Sequence, residues 1–230
     1  MNVKKYDVEQ GGEQWQKLRL GKFTSSEIYN LMTEPRAKKD KEAGEMSQTA
    51  KTYIKEKTTE LIYGEAPEIY GAALDWGNEY EDEARQMFAE IKDLDIENGG
   101  FYDCPELWTG ASPDGEGIDA EGEKFLIEIK CPYNRKNHID NVLNLEFDKD
   151  LLTHNKQYYY QVQHQLYLTG AEYCFFVSYD PRLTENENFY KSCIHSVEIY
   201  PDYDLFKVFE SKLKKAAAIQ KDILETLVNK

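Results

Sequence analysis

From Trp76 the apolar positions Trp76, Tyr80, Ala84, Met87, Phe88 and Ile91 recur at three- and four-residue spacing, which predicts an amphipathic helix. Glu79, Glu81 and Glu83 ride on it. Residues 13–34 also read as helical, with Thr24 and Ser25 ahead of Glu27 resembling a helix start and Ile28, Leu31 and Met32 as the apolar stripe. The run 38–45 is charged and poor in apolar residues, so it predicts an exposed loop. A helix over 47–63 should end at Gly64.

After Gly99-Gly100 the pattern shortens to extended pieces over 107–112, from near Asp114, and over 125–130 beyond a turn at Ala120-Glu121-Gly122. Residues 158–169 return to helix, closed by Gly170. The aromatic and branched run 173–179, stopped by Asp180-Pro181, predicts a buried strand, and 194–200 another. Leu205, Val208, Phe209, Leu213, Ala216, Ile219, Ile223 and Leu227 form a C-terminal amphipathic stripe. Helices at both ends around a central mixed β-sheet predict an α/β (α+β) fold. Without a repeat or a visible linker, residues 1–230 are expected to form one domain.

Composition changes this picture in two places. The four cysteines, Cys104, Cys131, Cys174 and Cys193, are scattered, which disfavours a zinc knuckle, an iron–sulfur cluster or a disulfide framework. The formal net charge of -15 opposes generic nucleic-acid binding, which draws on clustered lysine and arginine. Positive charge gathered in one channel would offset it, and 19–41 holds Arg19, Lys22, Arg36, Lys38, Lys39 and Lys41. The N-terminus lacks an apolar run of signal-peptide length, and nothing approaches the roughly 20 residues of a membrane span. The expectation is a cytosolic protein with no membrane partner.

The candidate chemistry lies in 125–130. Strand alternation puts Phe125, Ile127 and Ile129 on one face and Leu126, Glu128 and Lys130 on the other. A turn centred on Glu121 makes Asp114 and Glu128 cross-strand partners with Cβ atoms about 5 Å apart. Two facing carboxylates repel unless a cation neutralises them, and oxygen donors suit magnesium, with manganese as a substitute. Lys130 beside them would orient or help deprotonate a metal-bound water, or stabilise charge on a phosphate. By pattern alone the same residues also fit a solvated hairpin.

Glu81 reads by pattern either as part of an exposed acidic face or as a third carboxylate for the site. Gln161 and Gln165, one turn apart, form a polar stripe that would serve a phosphate, a catalytic water or a structural network. Arg19 with Ser25 and Ser26 reads either as an anion pocket near a helix start or as a surface arginine with a capping serine. His138, His154, His164 and His195 lack metal-ligand spacing.

The pattern Asp114, Glu128, Ile129, Lys130 resembles the PD-(D/E)XK nucleases. Trp15 followed by 17–21, Thr24 to Glu27, Pro35-Arg36, Ala66-Pro67-Glu68, Trp76-Gly77, Tyr80-Glu81, Ala84-Arg85, Ser112-Pro113-Asp114-Gly115, Lys130-Cys131-Pro132, Gln161-Val162-Gln163 and 179–182 extend the likeness. In that order they resemble the lambda-exonuclease or YqaJ-type family of viral recombination nucleases. The chain departs from the family at Ala72, where the pattern has lysine, and in a longer interval between Asp114 and Glu128.

The resemblance implies a restriction-endonuclease-like core and a magnesium-dependent 5′-to-3′ exonuclease. Such an enzyme degrades one strand of linear double-stranded DNA to mononucleotides and leaves single-stranded DNA for recombination. It implies a ring-shaped homotrimer and a single-strand annealing protein as partner. By residue, it implies metal at Asp114, Glu128 and the Ile129 carbonyl, with Glu81 contributing, Lys130 as the catalytic lysine and Gln161 in the active site. Arg19 and Ser26 would take the 5′-phosphate, Arg36 would contact DNA, and Leu74 would help separate the strands. The alternatives are a nuclease of the same superfamily with another polarity or internal cuts, and an acidic non-catalytic DNA mimic.

Overall fold

The computed structural model describes residues 1–67 and 70–230, so Glu68 of the Ala66-Pro67-Glu68 run lies outside the described residues. The chain opens with β1 (Lys4–Tyr6), α1 (Glu13–Arg19), β2 (Phe23–Thr24) and a 3-10 turn over Ser25–Asn30. Three helices follow, α2 (Lys38–Glu42), α3 (Gln48–Tyr63) and α4 (Ala72–Lys92). Next come β3 (Phe101–Cys104), β4 (Thr109–Ala111), β5 (Gly115–Ile118) and β6 (Lys124–Lys130). The helices α5 (Arg135–Asn144), α6 (Asp148–His154) and α7 (Lys156–Thr169) lead to β7 (Tyr173–Tyr179), β8 (Ile194–Ile199) and α8 (Tyr203–Val228).

The mixed α/β class expected from the pattern is present, with the strands divided between two four-stranded mixed sheets, β1-β3-β4-β2 and β5-β6-β7-β8. The division falls at Ser112-Pro113-Asp114. Pro113 has no N–H for a ladder, so the extended pieces on either side of it pair with different strands. β4 pairs with β2 and β3, and β5 pairs with β6. The β6–β7 pair is parallel, with α5, α6 and α7 in the crossover, and β7–β8 is antiparallel.

The alternation of β6 places its residues as its sequence predicts. Phe125, Ile127 and Ile129 pack with Phe175, Val177 and Tyr179 against Ala84 and Phe88 of α4. On the other face Leu126, Cys174 and Phe176 meet Tyr159, Val162 and Leu166 of α7. The first sheet contributes Phe23, Tyr102 and Ala111 to a core with Tyr53 and Ile54 of α3 and Phe209 and Leu213 of α8. Leu168 of α7 belongs to that core too, so α7 is enclosed on several sides and its Gln161, Gln163, His164 and Gln165 are all buried. A buried amide needs partners, and those amides supply part of the site below.

The 13–34 helix is corrected by the structure. It stops at Arg19; Gly21 takes φ +66°, and a Cβ there would sit 2.1 Å from Leu61 Cγ. Phe23 then donates to the Trp108 carbonyl at 2.8 Å and enters β2. The Thr24–Glu27 start opens only a 3-10 turn whose N-cap, Thr24, makes no side-chain cap bond, while Ser25 Oγ bonds His164 Nδ1 at 2.8 Å. The 38–45 run is exposed as expected but winds into α2. The α3 expectation holds at both ends, with Ser47 capping Ala50 N–H and Gly64 at φ +71°.

Candidate active site

The β5–β6 ladder pairs Gly117 with Phe125 and Gly115 with Ile127 and ends there, so Asp114 lies in the bend just before β5, close to Glu128 but not paired with it in the ladder as a turn centred on Glu121 predicts. Asp114 N–H donates to the Ile127 carbonyl at 3.0 Å, and Asp114 Oδ2 accepts from Ile129 N–H at 2.7 Å. Both carboxylates are buried, Glu128 completely.

Glu128 is held from three sides. Gln161 Nε2 donates to Oε1 at 2.5 Å, Gln165 Nε2 to Oε2 at 2.6 Å, and the Lys130 ammonium pairs with Oε1. Lys130 Nζ also lies 5.2 Å from the centroid of the Tyr158 ring, a favourable cation–π position. Burial alone would lower the Lys130 pKa, but the Glu128 and Asp114 charges outweigh it and push it up. The ammonium form is therefore the one present at neutral pH. Gln165 Oε1 is buried and has no hydrogen-bond partner among the described residues.

The turn carrying Asp114 is fastened by side chains from three helices and the loop before α1. Gln10 Nε2 donates to the Pro113 carbonyl at 3.0 Å, Trp15 Nε1 to Ser112 Oγ at 2.7 Å and Arg85 Nε to the Asp114 carbonyl at 2.7 Å. Gln165 reaches the Ser112 carbonyl at 3.4 Å. Gly99 backs the same turn, where a Cβ would lie 2.3 Å from the Pro113 oxygen. Sequence reasoning assigned no such role to Gln10, Trp15, Gly99 or Arg85; only Arg85, four residues from Glu81, carried a readable signal for its ion pair.

A cleft of about 860 Å³ opens on this cluster. Asp114, Glu128, Ile129, Lys130, Glu81 and Gln161 line it, together with Arg19, Ser26 and Leu74. Arg19 is stacked on Trp15, its guanidinium carbon 4.1 Å from the ring centroid. Ser25, read with Ser26 as part of an anion pocket, is committed to His164 and turned inward. Arg36 is exposed and outside the cleft lining. Of the basic residues over 19–41, Arg19 alone lines the cleft; Lys22 is half-buried in a 2.6 Å pair with Asp103.

Burial, with Glu128 and Glu81 nearby, pushes the Asp114 carboxyl well above its usual range. Burial likewise raises Glu81, against the pull of Arg85, which pairs with it at 2.9 Å. Among the described residues no three carboxylate, imidazole or thiol groups already converge as a metal cage. Asp114, Glu128 and Ile129 line the cleft wall together, and carboxylate and carbonyl oxygens are the donors that could hold a hard divalent ion there. That set suits a hard divalent ion that keeps several waters.

Residues 14–172 match the model of the YqaJ-like viral recombinase domain. No curated protein matches the chain. Among solved structures, an alkaline exonuclease from Laribacter hongkongensis, LHK-Exo, is 28% identical with TM-score 0.77, the match covering 95% of this chain and 97% of that one. LHK-Exo in complex with dAMP gives 29% identity, TM-score 0.76 and coverage of 94% and 96%. A phage-related exonuclease from Haemophilus somnus 129PT, 19% identical over 90% of this chain and 96% of its own, shares the fold at TM-score 0.70.

Proposed function

Because the chain belongs to the family of YqaJ-like viral recombinase domains, we propose that it is a magnesium-dependent 5′-to-3′ exonuclease acting on linear double-stranded DNA. The observation that carries this reading is the meeting of Asp114, Glu128, Lys130 and Gln161 in one cleft with Arg19 and Ser26. Asp114, Glu128 and the Ile129 carbonyl would hold the ion, with Glu81 at its edge. Magnesium, or manganese in its place, would supply a Lewis acid that activates water and draws charge from the phosphoryl oxygens.

The protein's own groups divide the remaining work. The Lys130 ammonium donates to a phosphoryl oxygen as negative charge grows there. The Gln161 carboxamide fixes Glu128 and faces the cleft. Arg19 and Ser26 grip the terminal 5′-phosphate through charge-assisted hydrogen bonds, which sets the next phosphodiester at the carboxylates. Leu74, 44% exposed at the cleft, wedges against the end of the duplex. Water oxygen joins phosphorus, the bond from phosphorus to O3′ breaks, and O3′ leaves with a proton. The products are a 5′-mononucleotide and a shortened strand with a new 5′-phosphate; the dAMP bound to LHK-Exo is a molecule of that product class.

The same reading takes residues 1–230 as one domain and the working form as a homotrimer in the cytoplasm. A ring would let DNA pass through a channel while the outer surface stays acidic. Arg36 would meet DNA outside the catalytic cleft, and a single-strand annealing protein would receive the exposed strand. Among the described residues no helix is long and apolar enough to cross a membrane.

The test is a linear duplex with a 5′-phosphate on one strand and distinguishable labels on both, incubated with magnesium or chelator. Magnesium-dependent loss of the phosphorylated strand from its 5′ end is the expected result. Internal cuts or 3′-end loss would overturn the polarity, and an intact duplex in both magnesium and manganese would favour a binding protein.

A further inference from the structure

The guanidinium of Arg85, on α4, reaches three acceptors. Nε donates to the Asp114 carbonyl at 2.7 Å, Nη2 to Glu81 Oε1 at 2.9 Å and Nη1 to Asp82 Oδ1 at 2.6 Å. The Asp82 side chain is 88% exposed, and so exposed an ion pair adds little. The other two acceptors belong to Asp114 and Glu81, which line the cleft, and the Arg85 and Glu81 side chains are 23% and 25% exposed. The remaining polar links of Asp114, through its N–H and Oδ2, both run to β6. Arg85 therefore ties Asp114 to α4, a helix seated on the sheet by Ala84 and Phe88.

We propose that Arg85 is a positioning residue that sets Glu81 against Asp114 through one guanidinium, fixing the third carboxylate at the edge of a divalent-cation site built on Asp114 and Glu128. The inference rests on the nuclease reading above. A planar fork suits this task because it satisfies two acceptors at a fixed separation, whereas a lysine ammonium is a point charge on a flexible stem. The four-residue spacing keeps Glu81 and Arg85 on one face of α4. Without the guanidinium, Glu81 loses the cation it pairs with at 2.9 Å, the Asp114 carbonyl loses its donor from α4, and the turn carrying Asp114 is held from fewer sides.

The test compares wild type, Arg85→Lys, Arg85→Ala and the control Asp82→Asn. Manganese binding is measured by calorimetry without DNA, and kcat and KM are measured on 5′-phosphorylated linear duplex. Removing an outer partner of a metal ligand weakens binding about ten- to one hundred-fold, so the manganese Kd of Arg85→Ala should rise by that factor. Its kcat should fall while KM holds, Arg85→Lys should recover part of both losses, and Asp82→Asn should match wild type. Wild-type manganese affinity and kcat in folded Arg85→Ala, or in Arg85→Lys if the alanine variant does not fold, would overturn the inference and leave the nuclease reading standing. A wild-type protein that binds no manganese and leaves the duplex intact would overturn both.

Discussion

Gln161 and Gln165, one helical turn apart on α7, hold opposite oxygens of the Glu128 carboxylate, at 2.5 Å to Oε1 and 2.6 Å to Oε2. The Glu128 side chain is almost fully buried at the cleft wall, so its orientation depends on these amides and on Lys130.

Replacing Gln165 by leucine removes the Oε2 donor and leaves Lys130 and Gln161 in place. A buried charged acceptor that loses a donor costs about 1–3 kcal/mol or somewhat more. Gln165→Leu should therefore lower the unfolding free energy from urea titration by that amount and slow hydrolysis, because Glu128 is freer to turn. Wild-type stability and rate in this variant would contradict the assigned role.

Arg19 is the basic residue of the N-terminal segment that borders the cleft. Arg19→Ala should reduce the preference for 5′-phosphorylated over 5′-hydroxyl ends about ten- to one hundred-fold, the worth of a charge-assisted bond of roughly 1.5–3 kcal/mol. Hydrolysis of the two substrates at separate strand ends gives the ratio directly. An unchanged ratio would remove Arg19 from the phosphate pocket.

His164 makes the fold acid-sensitive. Thr109 Oγ1 donates to the Phe23 carbonyl and so accepts from His164 Nε2–H at 3.1 Å, leaving Nδ1 to accept from Ser25 Oγ. The ring is thereby kept neutral, and burial lowers its pKa from 6.5 to about 3. The unfolded chain takes up this proton first, so the stability it contributes is complete above pH 6.5 and is lost as pH falls from there toward 3. The slope is at most about 1.4 kcal/mol per pH unit. Denaturant unfolding of wild type and His164→Gln across that window should show a steeper fall for wild type; equal slopes would refute it.

Much of this site is legible in the sequence because strands have a fixed period. The alternation of 125–130 suffices to put Lys130 on the Glu128 face, and a turn at Glu121 brings Asp114 near Glu128, though Asp114 sits in the bend before β5 and bonds the Ile127 carbonyl instead of pairing with Glu128. The Gln161 and Gln165 pair is legible for the same reason on a helix. What cannot be read is how the elements pack. Nothing local in Trp15 or Gln10 reveals that they fasten Ser112 and Pro113, since those contacts join residues about one hundred positions apart. The separate β1-β3-β4-β2 sheet is hidden because Phe101–Cys104 is buried on both faces and lacks alternation, and because Pro113 interrupts what reads as adjacent strands. The 13–34 helix fails at Gly21, where close approach of Leu61 selects a left-handed glycine over continued helical periodicity.

The central claim is that Lys130, held against Glu128 beside Asp114, carries out metal-dependent hydrolysis of DNA ends. The most direct measurement is magnesium-dependent release of mononucleotides from 5′-phosphorylated linear duplex by Lys130→Ala, with its fold checked by circular dichroism and its manganese affinity by calorimetry. The folded variant should still bind metal and release no mononucleotide above the rate seen in chelator. Wild-type release by the folded variant would contradict the claim.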